Sequence, residues 1–366
     1  MTNRERLIRT LNYKHVDRIP DYEFGLWQQT ATRWYNEGLP ETYNDADIIP
    51  GYFKSDDKKK FYIAINVGLY PQFEEKILDE TPTHYIKQDS EGTICEMLKP
   101  EFGASIPKYL HYPVENRSDW EKLRDERLNP ETEGRIPANI EELCKKSLVS
   151  EDPVVIFAGS MYGWIRNWMG VENASYALYD DPDLIQEMME HLTNLTMSIL
   201  NKLAGKAKID IAEWWEDICF RSGPLLPPKF VSQWMVPRYK KITNFLKDEL
   251  KCELNMVDCD GNIHELVPLW LESGINVMFP LEAAHTDQYK ISKEYREKIA
   301  FRGGFNKVAL IKGREAIDDE FERIMPLFLR GGYIPHVDHL VPPDVSFENY
   351  KYYRDKKRQL FGLDIL

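Results

Sequence analysis

Residues 252–281 read CELNMVDCDGNIHELVPLWLESGINVMFPL. The first part, CELNMVD, has the length and apolar content of a buried strand. Gly261 and Asn262 then open IHELVPLWLESG, which carries apolar residues at helical spacing and stops on a glycine. INVMFPL is a second strand. Strand, helix and strand in so short a span make a crossover unit, in which the two strands run parallel.

The same rhythm extends in both directions. Upstream lie a strand in DPVVIFAG (152–159), a helix over 175–205, a strand in AKIDIAEWW (207–215) and a helix over 227–250 with prolines in its first turn and one interrupting it. Downstream lie QYKISKEYREK (288–298, helix), IAFRGGF (299–305, strand), EAIDDEFERIMPLFLRGG (315–332, helix) and YIPHVDH (333–339, strand). About six strands alternate with helices, so the class is α/β with parallel strands. With about two more strands before residue 150, the expectation is a (β/α)8 TIM barrel, one domain over 1–366, with an N-terminal extension and a β-hairpin insertion at THYIKQDSEGTICEML (83–98). An open doubly wound sheet is the alternative, weakened by the lack of a GxGxxG turn. SDDKKKFY (55–62) reads as a solvated charge run.

The chain of 366 residues has a net charge of −13, which argues against nucleic acid or an anionic membrane surface as partner. Hydrophobic residues make up 43%, enough for a large core. The cysteines at 95, 144, 219, 252 and 259 form no CxxC pair, which points to a reducing compartment. The polar N-terminus resembles no signal peptide, and no apolar run is long enough to span a membrane, so a cytoplasmic location is expected.

In a barrel of this kind the site lies where the strands end. Here the ends carry Glu213 to Asp217, then Asp258 and Asp260, Glu282 and His285, Gly303 to Lys307, and His336, Asp338 and His339. Alternate strand residues share a face, so Asp258 and Asp260 point together, with Cys259 turned away. Paired carboxylates repel unless a cation or a shared proton offsets them, which means metal ligation or acid/base work. Asp260 also suits a turn or helix cap. Trp214 and Trp215 suit core and pocket wall equally, while Cys219 and Cys252 suit buried apolar roles.

DRIP (17–20), YGWIRNWMG (162–170) with Arg166, EDICFRSGPLLPPKFVSQWMVPRYKKI (216–242), DCDGN (258–262) and GGYIPHVDHLVPPDVSFENYKYY (331–353) together resemble the uroporphyrinogen decarboxylase superfamily and its corrinoid-dependent methyltransferases, nearly end to end. The resemblance implies a (β/α)8 barrel with its site at the C-terminal mouth. Decarboxylases of the family grip substrate carboxylates with an N-terminal arginine-rich segment of the RQAGR type. The matching YEFGLWQQTATRWYNEG (22–38) has Trp27, Gln28 and Gln29 instead. The methyltransferase branch binds zinc through His-x-Cys-Gly and a later cysteine. This chain has Asp258-Cys259-Asp260-Gly261, and His339 near the later position, so the implied zinc ligands are Asp258, Asp260, Glu282 and His339. Glu216 and His336 stand in reserve.

The reading that follows is a zinc-assisted methyltransferase that demethylates a small methylated substrate, such as a methoxylated aromatic. Lacking a DxHxxG stretch, it would pass the methyl group to a corrinoid (cobalamin) on a partner protein. A homodimer is compatible with it. Asp258, Glu216 and His336 are the catalytic candidates. Trp27, Tyr162, Trp164, Trp214, Trp215 and Phe305 are the substrate-binding candidates. The alternatives are a metal-free decarboxylase or lyase acting on a tetrapyrrole or other small carboxylate, with Asp258 or Tyr162 moving protons, and a corrinoid- or tetrapyrrole-binding protein without chemistry.

Overall fold

A computed structural model describes the chain except residues 41, 44, 45, 47, 100–106 and 366. Thirteen strands are described. β1 (Phe61–Tyr62), β6 (Val154–Gly159), β7 (Ile211–Trp215), β10 (Leu254–Asp258), β11 (Val277–Phe279), β12 (Ala300–Phe305) and β13 (Tyr333–Val337) form one parallel sheet in that order. β2 (Lys76–Glu80), β3 (His84–Gln88), β4 (Ile94–Leu98) and β5 (Lys108–His111) form an antiparallel sheet, and β8 (Cys219–Phe220) pairs with β9 (Gly223–Pro224).

The parallel sheet curls into the barrel that the strand–helix rhythm predicts. Leu7 and Leu11 of helix Asn3–Leu11 belong to one buried cluster with Ile211, Leu254, Val277, Ala300 and Ile334. That cluster fills the barrel interior at the strands' N-terminal ends, so the first helix stoppers the floor. Between β13 and β1, the eighth position is taken by an extended segment leading to Leu26, which bridges in parallel to Val341. This segment joins the sheet by that single bridge. Hydrogen bonds to the loop before β1, such as Asp56 N to Asp21 O at 2.9 Å, and ion pairs do the rest: Arg354 Nη2 lies 2.7 Å from Asp21 Oδ2, and Lys357 Nζ lies 2.6 Å from Glu23 Oε1, all buried beneath helix Phe347–Leu360.

Three expectations are refined. The helix expected over 175–205 is two, Val171–Asp180 and Pro182–Asn201. Asp181 ends the first and caps the second, accepting from Leu184 N at 3.0 Å, where Pro182 has no N–H to continue the ladder. The helix over 227–250 begins at Pro228–Phe230 and passes through a π-helical turn, Val231–Met235, before Val236–Leu250. The turn sits where Pro237 removes a bond of the ladder. The hairpin of 83–98 is present as β3 and β4, but as the middle of four strands. Its flanking strands, KILDE and KYLH, are exposed throughout, so they carry no alternation to read.

Candidate active site

Inward-facing side chains alternate along each barrel strand. Glu213 and Trp215 on β7, Met256 and Asp258 on β10, Phe279 on β11 and Arg302 on β12 therefore converge on the interior above the apolar floor. They border a cavity of about 580 Å³ at the C-terminal side. Glu23 to Leu26 of the inserted segment, Asp57, Lys60 and Tyr62 from the chain around β1, and Phe157 of β6 complete the wall.

The cavity is aromatic on several sides, through Phe24, Phe157, Trp215 and Phe279, while the Trp214 ring packs outward on Tyr239. Its polar groups are strongly perturbed. Burial pushes the Asp258 carboxyl well above its ordinary 3.8. Repulsion from Asp260, Asp217 and Glu213 adds to this, and Arg302 opposes it only in part. The fold therefore favours the neutral acid at Asp258. Burial also raises Asp57, and it lowers the Lys60 amine, with Arg302 adding to the fall.

The sequence-derived candidates are placed as follows. Asp258, Trp214 and Trp215 border the cavity. Glu216 is buried outside it. Its carboxylate accepts from Gly163 N at 2.8 Å, from Met161 N and from Tyr239 Oη, and so holds the start of helix Tyr162–Met169. His336 is fully buried, 5.6 Å from Phe279 between ring centroids. Its Nδ1 donates to Val337 O at 2.8 Å, Nε2 has no partner, and burial with nearby Arg302 pushes the ring well below 6.5, so it is neutral. Trp27 is 46% exposed at the rim, stacked on His339. Tyr162 is buried in the core, Trp164 stacks on Trp168, and Phe305 packs on Phe321 and Tyr353.

Of the four implied zinc ligands, only Asp260 and His339 meet each other. Glu282 Oε1 pairs with Lys307 Nζ at 3.1 Å, and its Oε2 accepts from Gly261 N at 2.8 Å. Asp260 Oδ2 lies 3.2 Å from His339 Nε2. Asp258 belongs to the cavity wall. Among the described residues no three His, Cys, Asp or Glu side chains gather as a ligand set, so these groups as arranged do not fit a zinc ion.

Sequence reasoning missed Lys60, Tyr62 and Arg302. The stretch 55–62, expected to be a solvated charge run, is a correction. Asp56 is 4% exposed and paired with Arg18, while Lys60 and Tyr62 face the cavity. The signal for Arg302 was present: a lone cation in the apolar run IAFRGGF, in phase with inward Ala300.

A parallel α/β barrel with a perturbed carboxyl at its C-terminal mouth defines the class, and comparisons narrow it. Residues 98–359 match the uroporphyrinogen decarboxylase family, and the chain belongs to that family. A uroporphyrinogen decarboxylase of Pelobacter propionicus is 23% identical over 250 residues, covering 66% of this chain and 69% of the relative. A methyltransferase from Methanosarcina mazei superposes with a TM-score of 0.59 at 14% identity, covering 98% of this chain and 99% of that one, which shows the shared fold. Among the described residues no helix is long and apolar enough to cross a membrane.

Proposed function

We propose that the chain is a methyltransferase that takes the methyl group from a small aryl methyl ether and passes it to a corrinoid carried by a partner protein. The observation that carries this reading is Asp258, a carboxyl on the wall of an aromatic cavity whose burial and acidic neighbours favour its neutral form. When the ether C–O bond breaks, the methyl carbon goes to the nucleophilic acceptor and the oxygen keeps the electron pair. That oxygen needs a proton, and a positioned neutral acid supplies one, worth typically 10²- to 10⁴-fold in rate. Solvent then returns the proton to Asp258. The cavity of about 580 Å³ falls within the usual range for one small ligand, roughly 300–1,000 Å³. The corrinoid supplies the nucleophile and approaches from the mouth.

A second reading, decarboxylation of a tetrapyrrole, is favoured by the similarity to the Pelobacter propionicus enzyme. Against it, Lys60 and Arg302 are the only basic residues among the described cavity lining, and Trp27 lies at the rim where the family's arginine segment would start. A tetrapyrrole with many carboxylates would leave most of them unpaired, at several kcal/mol each.

The test is an anaerobic assay of the purified chain with methoxylated aromatics and free cob(I)alamin, following methylcobalamin absorbance, and in parallel with uroporphyrinogen. Methylcobalamin is expected, with a loss of about 100-fold or more in Asp258→Asn. Coproporphyrinogen formed at about 1 per second or faster, a rate ordinary for an enzyme, would overturn the proposal.

A further inference from the structure

Buried cations in this protein are as a rule met by acids or, for Arg135, by the backbone carbonyls of Asn66, Gly68, Arg127 and Asn129. Arg354 and Lys357 meet Asp21 and Glu23, Arg358 meets Asp21, and Arg4 meets Asp210. Arg302 departs from that rule. It is 4% exposed, it borders the cavity, and its Nε has no hydrogen-bond partner. Its Nη1 reaches only Met256 Sδ, at 3.5 Å, and its guanidinium lies 5.0 Å from the Phe279 ring centroid and 5.2 Å from that of Tyr22. Lys60 Nζ lies 4.8 Å from the same Tyr22 ring, on the same cavity.

Among the described residues, neither cation forms an ion pair. The acids on the same cavity form no ion pair with them: Asp57 and Glu213 act on Lys60 only through space, and each has a donor of its own. Asp57 accepts from Glu23 N at 3.1 Å, Glu213 from Tyr62 Oη at 3.3 Å, and Glu23 is held by Lys357. An unpaired buried guanidinium costs several kcal/mol, and a barrel strand tolerates it best where a ligand supplies the missing anion.

We propose that Arg302 and Lys60 together bind a carboxylate of the substrate, so that the methyl donor is a methoxylated aromatic acid rather than a neutral ether. The inference rests on the methyltransferase reading for the methyl group and on the two cations for the acid. The Met256 contact sets the level of the guanidinium. Asp258 is two residues further along the same strand, about 7 Å nearer the mouth. One benzene ring spans that interval. With its carboxylate on Arg302 and Lys60, the ring lies between Phe157, Trp215 and Phe279. A para ether oxygen then meets Asp258, and the methyl group faces the mouth. The bound anion would also offset the desolvation that depresses the Lys60 amine.

The experiment is isothermal titration calorimetry of the full chain with 4-methoxybenzoate and its neutral isostere 4-methoxybenzamide. The acid is expected to bind at least tenfold more tightly. Arg302→Met should remove at least tenfold from the acid and leave the amide unchanged, and Lys60→Met should weaken the acid less. Equal binding of acid and amide, no binding of either, or undiminished acid binding by folded Arg302→Met would overturn the proposal. If the variant does not fold, the acid–amide comparison on the unaltered protein decides alone. Acid-selective binding without methyl transfer would sink the methyltransferase reading and leave the anion site standing. Methyl transfer from neutral methoxybenzene as fast as from the acid would do the reverse.

Discussion

At the scale of single residues, Asp258 has a thermodynamic signature apart from catalysis. Its folded-state pKa is raised above the ordinary 3.8, so from 3.8 up to that raised value the native chain holds a proton that the unfolded chain has lost. Stability therefore falls as pH rises through that window. Asp258→Asn cannot lose the proton, so the variant should melt above the unaltered protein at pH 7. The gap should close as pH drops below 3.8, as scanning calorimetry can follow. A variant equally or less stable at neutral pH would mean that the fold does not raise the Asp258 carboxyl. Asp258 was legible in the sequence because it ends an apolar run at a strand's C-terminus. Glu216 ends the neighbouring run in the same way, yet its carboxylate serves backbone N–H groups. Position along a strand does not say which partner lies opposite.

At the scale of elements, that difference makes Glu216 a structural anchor. Its carboxylate joins the start of helix Tyr162–Met169 to Tyr239 in helix Val236–Leu250. Glu216→Ala would leave the Tyr239 hydroxyl and two backbone N–H groups buried without an acceptor. The expected loss is about 3 kcal/mol in denaturant unfolding, with a smaller loss for Glu216→Gln, which keeps one oxygen. A change under about 0.5 kcal/mol would refute the anchor. The strand and helix order from β6 to β13 was readable because buried parallel strands are apolar runs and the helices between them are amphipathic. β1 was not, because two residues make no period and Lys58 to Lys60 just before them look like surface. The implied zinc set fails on a related ground. Lys307 pairs with Glu282, Asp260 meets His339 rather than Asp258, and a list of strand-end acids does not show what lies beside each of them.

At the scale of the whole molecule, the barrel closes through side chains at one place. Asp21 and Glu23 of the inserted segment are clasped by Arg354, Lys357 and Arg358 of the last helix, from opposite ends of the chain. Arg354→Met leaves two buried carboxylates with one cation fewer, and a loss of about 3 kcal/mol is expected, since removing one partner of a buried ion pair is strongly destabilising. Because Glu23 to Leu26 border the cavity, the same variant should weaken 4-methoxybenzoate binding. A variant that is destabilised but binds unchanged would show that the clasp and the site are uncoupled. This clasp was invisible in the sequence, where acids near residue 20 and bases near residue 355 look like ordinary surface charge at two remote termini.

The clasp also bears on how such a molecule acquires new substrates. One wall of the cavity is a short extended segment, joined to the barrel by a single bridge, a few hydrogen bonds to Asp56 and Asp57, and ion pairs. Phe24 can be exchanged while Asp21 and Glu23 stay in place, whereas Gly25, at φ +128° with Leu340 against it, and the buried Leu26 are held. Inheritance can therefore treat Phe24 as a detachable panel on that wall. Lineages can diverge in what they accept at the panel while keeping the same barrel, the same acid and the same mouth.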